Sequence, residues 1–165
     1  MLARMPRAFV EDDLDIEILF DESNRVVVGA RSRWAARRRI ELVELVNEPW
    51  IFMPNQALSA LVADAFKACG LEVPQERVNC SSLLLRNHLL ATGRFLSFLP
   101  DSVLRYNAKQ WSLKALPVEL GITPRAVAIV TLKNRTLSPV VQLLIEHLRV
   151  VAKTMVAPSR HKGSA

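Results

Sequence analysis

Twice in succession a short β-rich run leads into a helical pattern, and that alternation restricts the chain to an α/β sheet with crossover helices. The runs span Glu48 to Asn55 and Arg77 to Asn87, the second continuing through Ala91-Thr-Gly93 to Phe98-Leu-Pro100. A capped amphipathic helix after Thr136-Leu-Ser-Pro139 closes the pattern. Each helix starts at a polar turn just after a strand, the place where ligands sit in open α/β sheets. The pattern points to small-molecule binding before it points to any chemistry.

With 165 residues the chain is one ordinary domain or two small lobes, long enough to bury a core. Half the residues are apolar and 23% are charged, which argues against disorder. No apolar run approaches the roughly 20 residues a membrane span needs, and Arg4, Pro6 and Arg7 precede no signal-peptide core. Cys69 and Cys80 supply neither a disulfide framework nor metal-ligand spacing. A reduced, cytoplasmic setting is expected. The charge is uneven: Glu11, Asp12, Asp13, Asp15, Glu17, Asp21 and Glu22 form an acidic segment, followed by Arg25, Arg31, Arg33, Arg37, Arg38 and Arg39. A basic run can track phosphates, but the expectation is that the two blocks are solvated or meet each other.

Ile16 to Phe20 and Arg25 to Gly29 read as strands around an Asp-Glu-Ser-Asn turn. A short helical turn is expected over Ile40 to Val46 and a strand over Trp50 to Met53. From Gln56, Leu58, Leu61, Val62, Ala65, Phe66 and Cys69 share one helical face, with Gly70 as the stop. Val78 to Cys80 reads as a short strand. Leu83 to Thr92 is a helix apolar nearly all round, relieved by Arg86, Asn87 and His88, and so buried on most sides or set in a subunit interface. Phe95 to Leu99 is a strand, Asp101 caps a short helix to Tyr106, and Leu113 to Leu120 is extended, with Pro117 favouring an edge. Ala126 to Thr131 alternates into a strand. Ser138 and Pro139 start the last helix, whose polar stripe Gln142, Glu146, Arg149 and Lys153 lies opposite Val141, Leu144, Leu148 and Ala152.

Catalytic chemistry finds no foothold. The five glycines are scattered singly, so no phosphate loop exists, and no carboxylate pair sits at neighbouring strand ends. Cys80 and His88 lack a third, orienting group. Binding is better served. One of Ser81 and Ser82 caps the helix from Leu83, and the other hydroxyl with the free amides of the first turn makes an anion site. Pro54, Asn55 and Gln56 hold the equivalent place one unit earlier. Two such helix ends favour a carboxylate or another small anion. Trp50 and Phe52 read as core.

These residues together resemble the effector-binding domain of LysR-type transcriptional regulators, over nearly the whole chain from Leu19 to about Met155. The carriers are Val26-Val-Val-Gly29, Trp34 to Ile40, Leu45-Val-Asn-Glu-Pro-Trp50, Ser81-Ser82, Ala91-Thr-Gly93 with Phe98-Leu-Pro100, and Arg135-Thr-Leu-Ser-Pro139. The resemblance implies an α/β, periplasmic-binding-protein-like fold of two lobes: 1–25 with 124–157 as a remnant of the first, 26–123 as a complete second, and 158–165 as a flexible tail. It implies no catalysis, no cofactor and no metal. It implies a cytoplasmic regulator whose small-molecule effector binds between the lobes and shifts how a dimer or tetramer holds promoter DNA. By position, Ser81, Ser82 and Leu83 face the cleft with Asn55 and Gln56 nearby, and Thr131 lines the hinge side. The helix from Leu83 to Thr92 supplies a dimer interface through Leu84, Asn87, His88 and Ala91.

The chain departs from the family in three ways. The family's DNA-binding helix-turn-helix and the opening part of its first lobe have no counterpart in this sequence, so promoter contact is expected only through a domain absent here. Met1 to Arg7 resembles that lobe's last strand before the hinge. Phe95 stands where the family has a second glycine. The last helix and the strand Ala126 to Thr131 are therefore expected to leave sheet edges and an apolar face uncovered. A stand-alone, truncated interaction protein is the competing reading; a solute-binding protein for uptake is opposed by the missing export signal.

Overall fold

The computed structural model describes residues 1–6, 8–53, 56–74 and 77–155. The strands are β1 (Leu2–Met5), β2 (Leu14–Glu22), β3 (Asn24–Gly29), β4 (Trp50–Phe52), β5 (Arg77–Asn79), β6 (Leu96–Pro100), β7 (Leu113–Ala115) and β8 (Arg125–Leu132). The α-helices are α1 (Gln56–Ala68), α2 (Leu83–Ala91), α3 (Asp101–Asn107) and α4 (Pro139–Met155), with a 3-10 turn at Leu42–Leu45. The chain divides into two compact units. One runs from Ser23 to Thr123; the other joins the residues up to Glu22 with those from Pro124 onward.

The Ser23–Thr123 unit is built on a five-stranded sheet in the order β5-β4-β6-β3-β7. β4 lies parallel to β5 and β6, whereas β3 runs antiparallel to β6 and β7. The β4-α1-β5-α2-β6 path is the expected pair of crossovers. Successive strand residues point to opposite faces, and the core divides accordingly. Val26, Val28, Trp50, Phe52, Leu96 and Phe98 meet Val62, Ala65 and Phe66 of α1 on one face. Val27, Ile51 and Leu99 meet Leu90 of α2 and Leu104 of α3 on the other. Trp50 is the hub: its ring stacks at 5.0 Å on Phe98 and 5.9 Å on Phe52, takes Phe66 edge-on at 5.5 Å, and donates its indole N–H to Leu45 O at 2.8 Å.

The other unit is a three-stranded antiparallel sheet, β1-β8-β2, with α4 against it. β8 is its central strand, so neither side of the strand is an open edge, and Ala126 to Val130 are all buried instead of alternating. β1 is not the last strand before the chain leaves this unit; β2 is.

Several local expectations change. Asp21 to Asn24 form no hairpin turn: β2 ends at Glu22, β3 starts at Asn24, and the two strands belong to different sheets. Asp101 is not a cap but the first residue of α3; Pro100 holds the cap position and Asp101 pairs with Arg25 at 3.0 Å. Cys69 is exposed, outside the buried face of α1. Several of the basic residues find partners close by in the chain. Arg33, Arg37 and Arg39 meet Glu48, Glu44 and Glu41, while Arg33 and Arg37 also flank the Trp34 ring at 5.2 and 5.8 Å.

On α4, Ser138 caps as expected, its Oγ accepting from Val141 N at 3.4 Å. The buried face, however, is Ile145 and Ala152, with Val141 and Leu144 exposed. Arg149, exposed as the polar stripe predicts, donates two bonds of 2.8 and 2.7 Å to the Glu17 carboxylate on β2. Those bonds hold Glu17 below its ordinary carboxylate value of 4.5. A depressed folded value means the contribution is complete above that ordinary value and is lost as pH falls through the folded one. Both groups are well exposed, so the effect is small. In acid titrations followed by circular dichroism, the wild type should therefore lose stability below about pH 4.5 slightly more steeply than Arg149→Met; superimposable profiles would show that the pair contributes nothing.

Candidate functional site

In the Ser23–Thr123 unit, parallel strands β4 and β5 end side by side, with Cys80 N–H donating to Phe52 O at 2.9 Å. Two helices start beyond those carboxyl ends, α1 at Gln56 and α2 at Leu83. For α2 the sequence dictates this: the short triplet Arg77–Asn79 is broken by polar residues, of which Ser82 caps the helix.

The start of α2 is built in detail. Ser82 is the N-cap in extended conformation (φ −78°, ψ 117°), and its Oγ accepts the Leu85 N–H at 3.3 Å. Its carbonyl accepts the Arg86 N–H at 3.0 Å and the Cys80 thiol at 3.3 Å. The Leu83 and Leu84 amides therefore have no intrahelical acceptor, and the helix dipole adds partial positive charge there. An anion is the chemistry this end favours.

The helix is turned about its axis relative to expectation. Leu83, Leu84 and Leu85 are exposed, whereas Arg86, Asn87 and Leu90 are buried. An apolar face thus meets solvent while two polar side chains lie inside. Arg86 Nη1 donates to Met53 Sδ at 2.9 Å, just past the end of β4, and its Nε has no partner. Burial pushes the Arg86 guanidinium below its ordinary value, an effect that neighbouring Cys80 opposes. Asn87 Oδ1 is likewise buried without a partner. The C-terminal end of α2 lies close against β3: a Cβ on Gly29 would come within 2.2 Å of Leu90 O. Gly93, at φ +78°, ends the helix beside Ser32 N.

The expected site residues fall in different places. Ser81, Ser82 and Leu83 sit together at the α2 start, with both serines exposed. Gln56 opens α1 at the same edge of the sheet, and Asn55 lies outside the described residues. Thr131 is half-buried on β8, in the other unit, opposite Asp15. Of the expected interface residues, Leu84 and His88 are exposed, Ala91 is half-buried and Asn87 is turned inward. Cys80 is buried with its thiol committed to Ser82 O, away from any catalytic pairing with exposed His88. Among the described residues no group of three His, Cys, Asp or Glu side chains could hold a metal, and no helix is long and apolar enough to cross a membrane. Arg86 escaped the sequence reading as a site residue. Its signal is an arginine four residues after the cap, directly behind three leucines.

Comparison with known proteins agrees with this architecture. Residues 1–153 match the family described as the LysR substrate binding domain. Over 140 residues the chain is 26% identical to the transcriptional dual regulator GltC of Bacillus subtilis, covering 84% of this chain and 45% of that protein. The chain thus spans about half the length of this curated relative. The regulatory domain of Synechocystis PCC6803 CcmR, solved with 2-PG, has a similar fold: TM-score 0.73, 20% identity, 93% of this chain and 73% of that one. So does the effector-binding domain of QuiR, solved with shikimate: TM-score 0.66, 19% identity, 93% and 72% coverage. Those domains have the periplasmic-binding-protein-like fold expected from the sequence. The chain belongs to the LysR substrate-binding-domain family, the effector-binding part of LysR-type transcriptional regulators.

Proposed function

We propose that this chain is the sensing part of a cytoplasmic regulator, taking up a small anionic effector and passing its presence on to oligomer state and transcription. The supporting observation is the α2 start: a capped helix end with free Leu83 and Leu84 amides, beside the carboxyl ends of two parallel strands. Ser81, Ser82, Leu83 and Gln56 contact the effector in this reading; Asn55 and Thr131 are assigned to it from the sequence alone. The relatives solved with 2-PG and shikimate make a small organic ligand the natural class to test.

The test is a thermal-shift screen of the chain against small organic acids and their neutral analogues, followed by calorimetry. A ligand at one hundred times its Kd should add about 2.7 kcal/mol, raising Tm by roughly 5 °C or more. Ser82→Ala should weaken binding and cost about 1 kcal/mol of stability through the lost cap. A screen, cell extract included, in which nothing shifts the transition would sink the reading.

A second reading has its own support. Leu83, Leu84 and Leu85 on α2, and Val140, Leu143, Leu144, Val150 and Val151 on α4, are exposed, and such surfaces mark protein contacts. In that reading the chain is an interaction module that pairs through these helices, Leu84, His88 and Ala91 included. Sedimentation should then show a dimer that Leu84→Glu returns to monomer.

A further inference from the structure

Arg86 is out of place by every ordinary rule of burial. It is only 5% exposed, and no carboxylate pairs with it among the described residues. Its one acceptor is a thioether sulfur, a weak one. An arginine keeps its charge at neutral pH, and a buried charge without a counter-charge is strongly destabilising. A helical side chain leans toward its own N-terminus. Contact with Met53 fixes the head at the ends of β4 and β5, under the first turn of α2. Two positive elements therefore belong to the same end of α2: the Leu83 and Leu84 amides that lack an intrahelical acceptor, and a buried guanidinium held at Met53. The unpartnered Nε lies on the Nε–Nη2 edge, the side of a guanidinium that receives a carboxylate through two parallel bonds.

We propose that Arg86 is the charge-selecting residue of the effector site, holding the carboxylate of the ligand against the start of α2. The assignment rests on the effector reading above and narrows it to carboxylate-bearing molecules. It also explains why an arginine is buried on this helix: its counter-charge arrives with the ligand.

The test is isothermal calorimetry on the chain with malonate, succinate and shikimate, with inorganic phosphate and malonamide as controls, at fixed ionic strength. The wild type should bind at least one carboxylate saturably and ignore malonamide. Arg86→Met should weaken that binding at least tenfold, and Arg86→Lys should recover only part of it. Without ligand, Arg86→Met should keep or raise Tm, by about 3 °C, because an uncompensated buried charge is gone. Equal binding by wild type and Arg86→Met would overturn the proposal, as would a fall in Tm of more than about 5 °C, the mark of a purely structural arginine. Phosphate binding that depends on Arg86 where carboxylates do not bind would overturn the carboxylate assignment. A neutral ligand found in the thermal-shift screen, indifferent to Arg86, would overturn this proposal while leaving the effector reading intact.

Discussion

Gly29→Ala is expected to cost the Ser23–Thr123 unit about 3 kcal/mol, at the upper end of what overpacking does. The added Cβ would lie 2.2 Å from Leu90 O, 3.0 Å from Gly93 N and 3.2 Å from the Ala91 carbonyl carbon. All three are backbone atoms, so no side chain can swing aside. The last turn of α2 must retreat from β3, yet Leu90 is fully buried there and Gly93 is held beside Ser32. A domain has only about 5–15 kcal/mol of stability to lose. In urea, followed by tryptophan fluorescence, the midpoint should fall by roughly 1–2 M. A midpoint within about 0.3 M of the wild type would mean α2 is free to slide.

Trp50→Ala should cost about 4 kcal/mol, the usual range for emptying a large aromatic site. Trp50 is fully buried and touches Phe52, Phe66 and Phe98 from three directions, so its neighbours cannot collapse without losing one another. Trp50→Phe separates the two parts of this role. It keeps an aromatic ring but strands the Leu45 carbonyl, which now receives the indole N–H at 2.8 Å; about 1–2 kcal/mol should be lost. Equal losses for the two variants would assign the role to the hydrogen bond; a loss under about 1 kcal/mol for alanine would show that the core is centred elsewhere.

Much of this fold was legible in the residues, because period and punctuation are local properties. The β-rich triplets around Trp50 and Val78, the stops at Gly70 and Gly93, and the Ser82 and Ser138 caps could each be read from a few neighbours. What periodicity cannot supply is phase. Leu83, Leu84 and Leu85 look like core on a helical wheel, yet the turning of α2 is set by Leu90 against β3 and by the Gly29 contact. Both are distant in sequence, and they turn Arg86 and Asn87 inward. On α4 the exposed Arg149 takes a partner no local pattern could name, Glu17, far away on β2, which offers a two-pronged acceptor. Asp101 likewise gave up a local capping role to a remote partner, Arg25. The candidate site was legible where a cap defines it, at Ser81 and Ser82. It was illegible at Arg86, whose meaning depends on how the whole helix is rolled.

The strand order β1-β8-β2 has a consequence for how the chain comes into being. β1 and β2 precede β8 by about a hundred residues, yet they never pair with each other; both pair only with β8, whose register joins Leu2 to Ile129 and Leu14 to Leu132. The five-stranded sheet, by contrast, is a single uninterrupted stretch, complete once Thr123 has been added. On a ribosome the Ser23–Thr123 unit can therefore close before β1 and β2 find their partner strand β8. A chain truncated after Thr123 and released from the ribosome should resist protease from Ser23 onward and remain cleavable before Glu22.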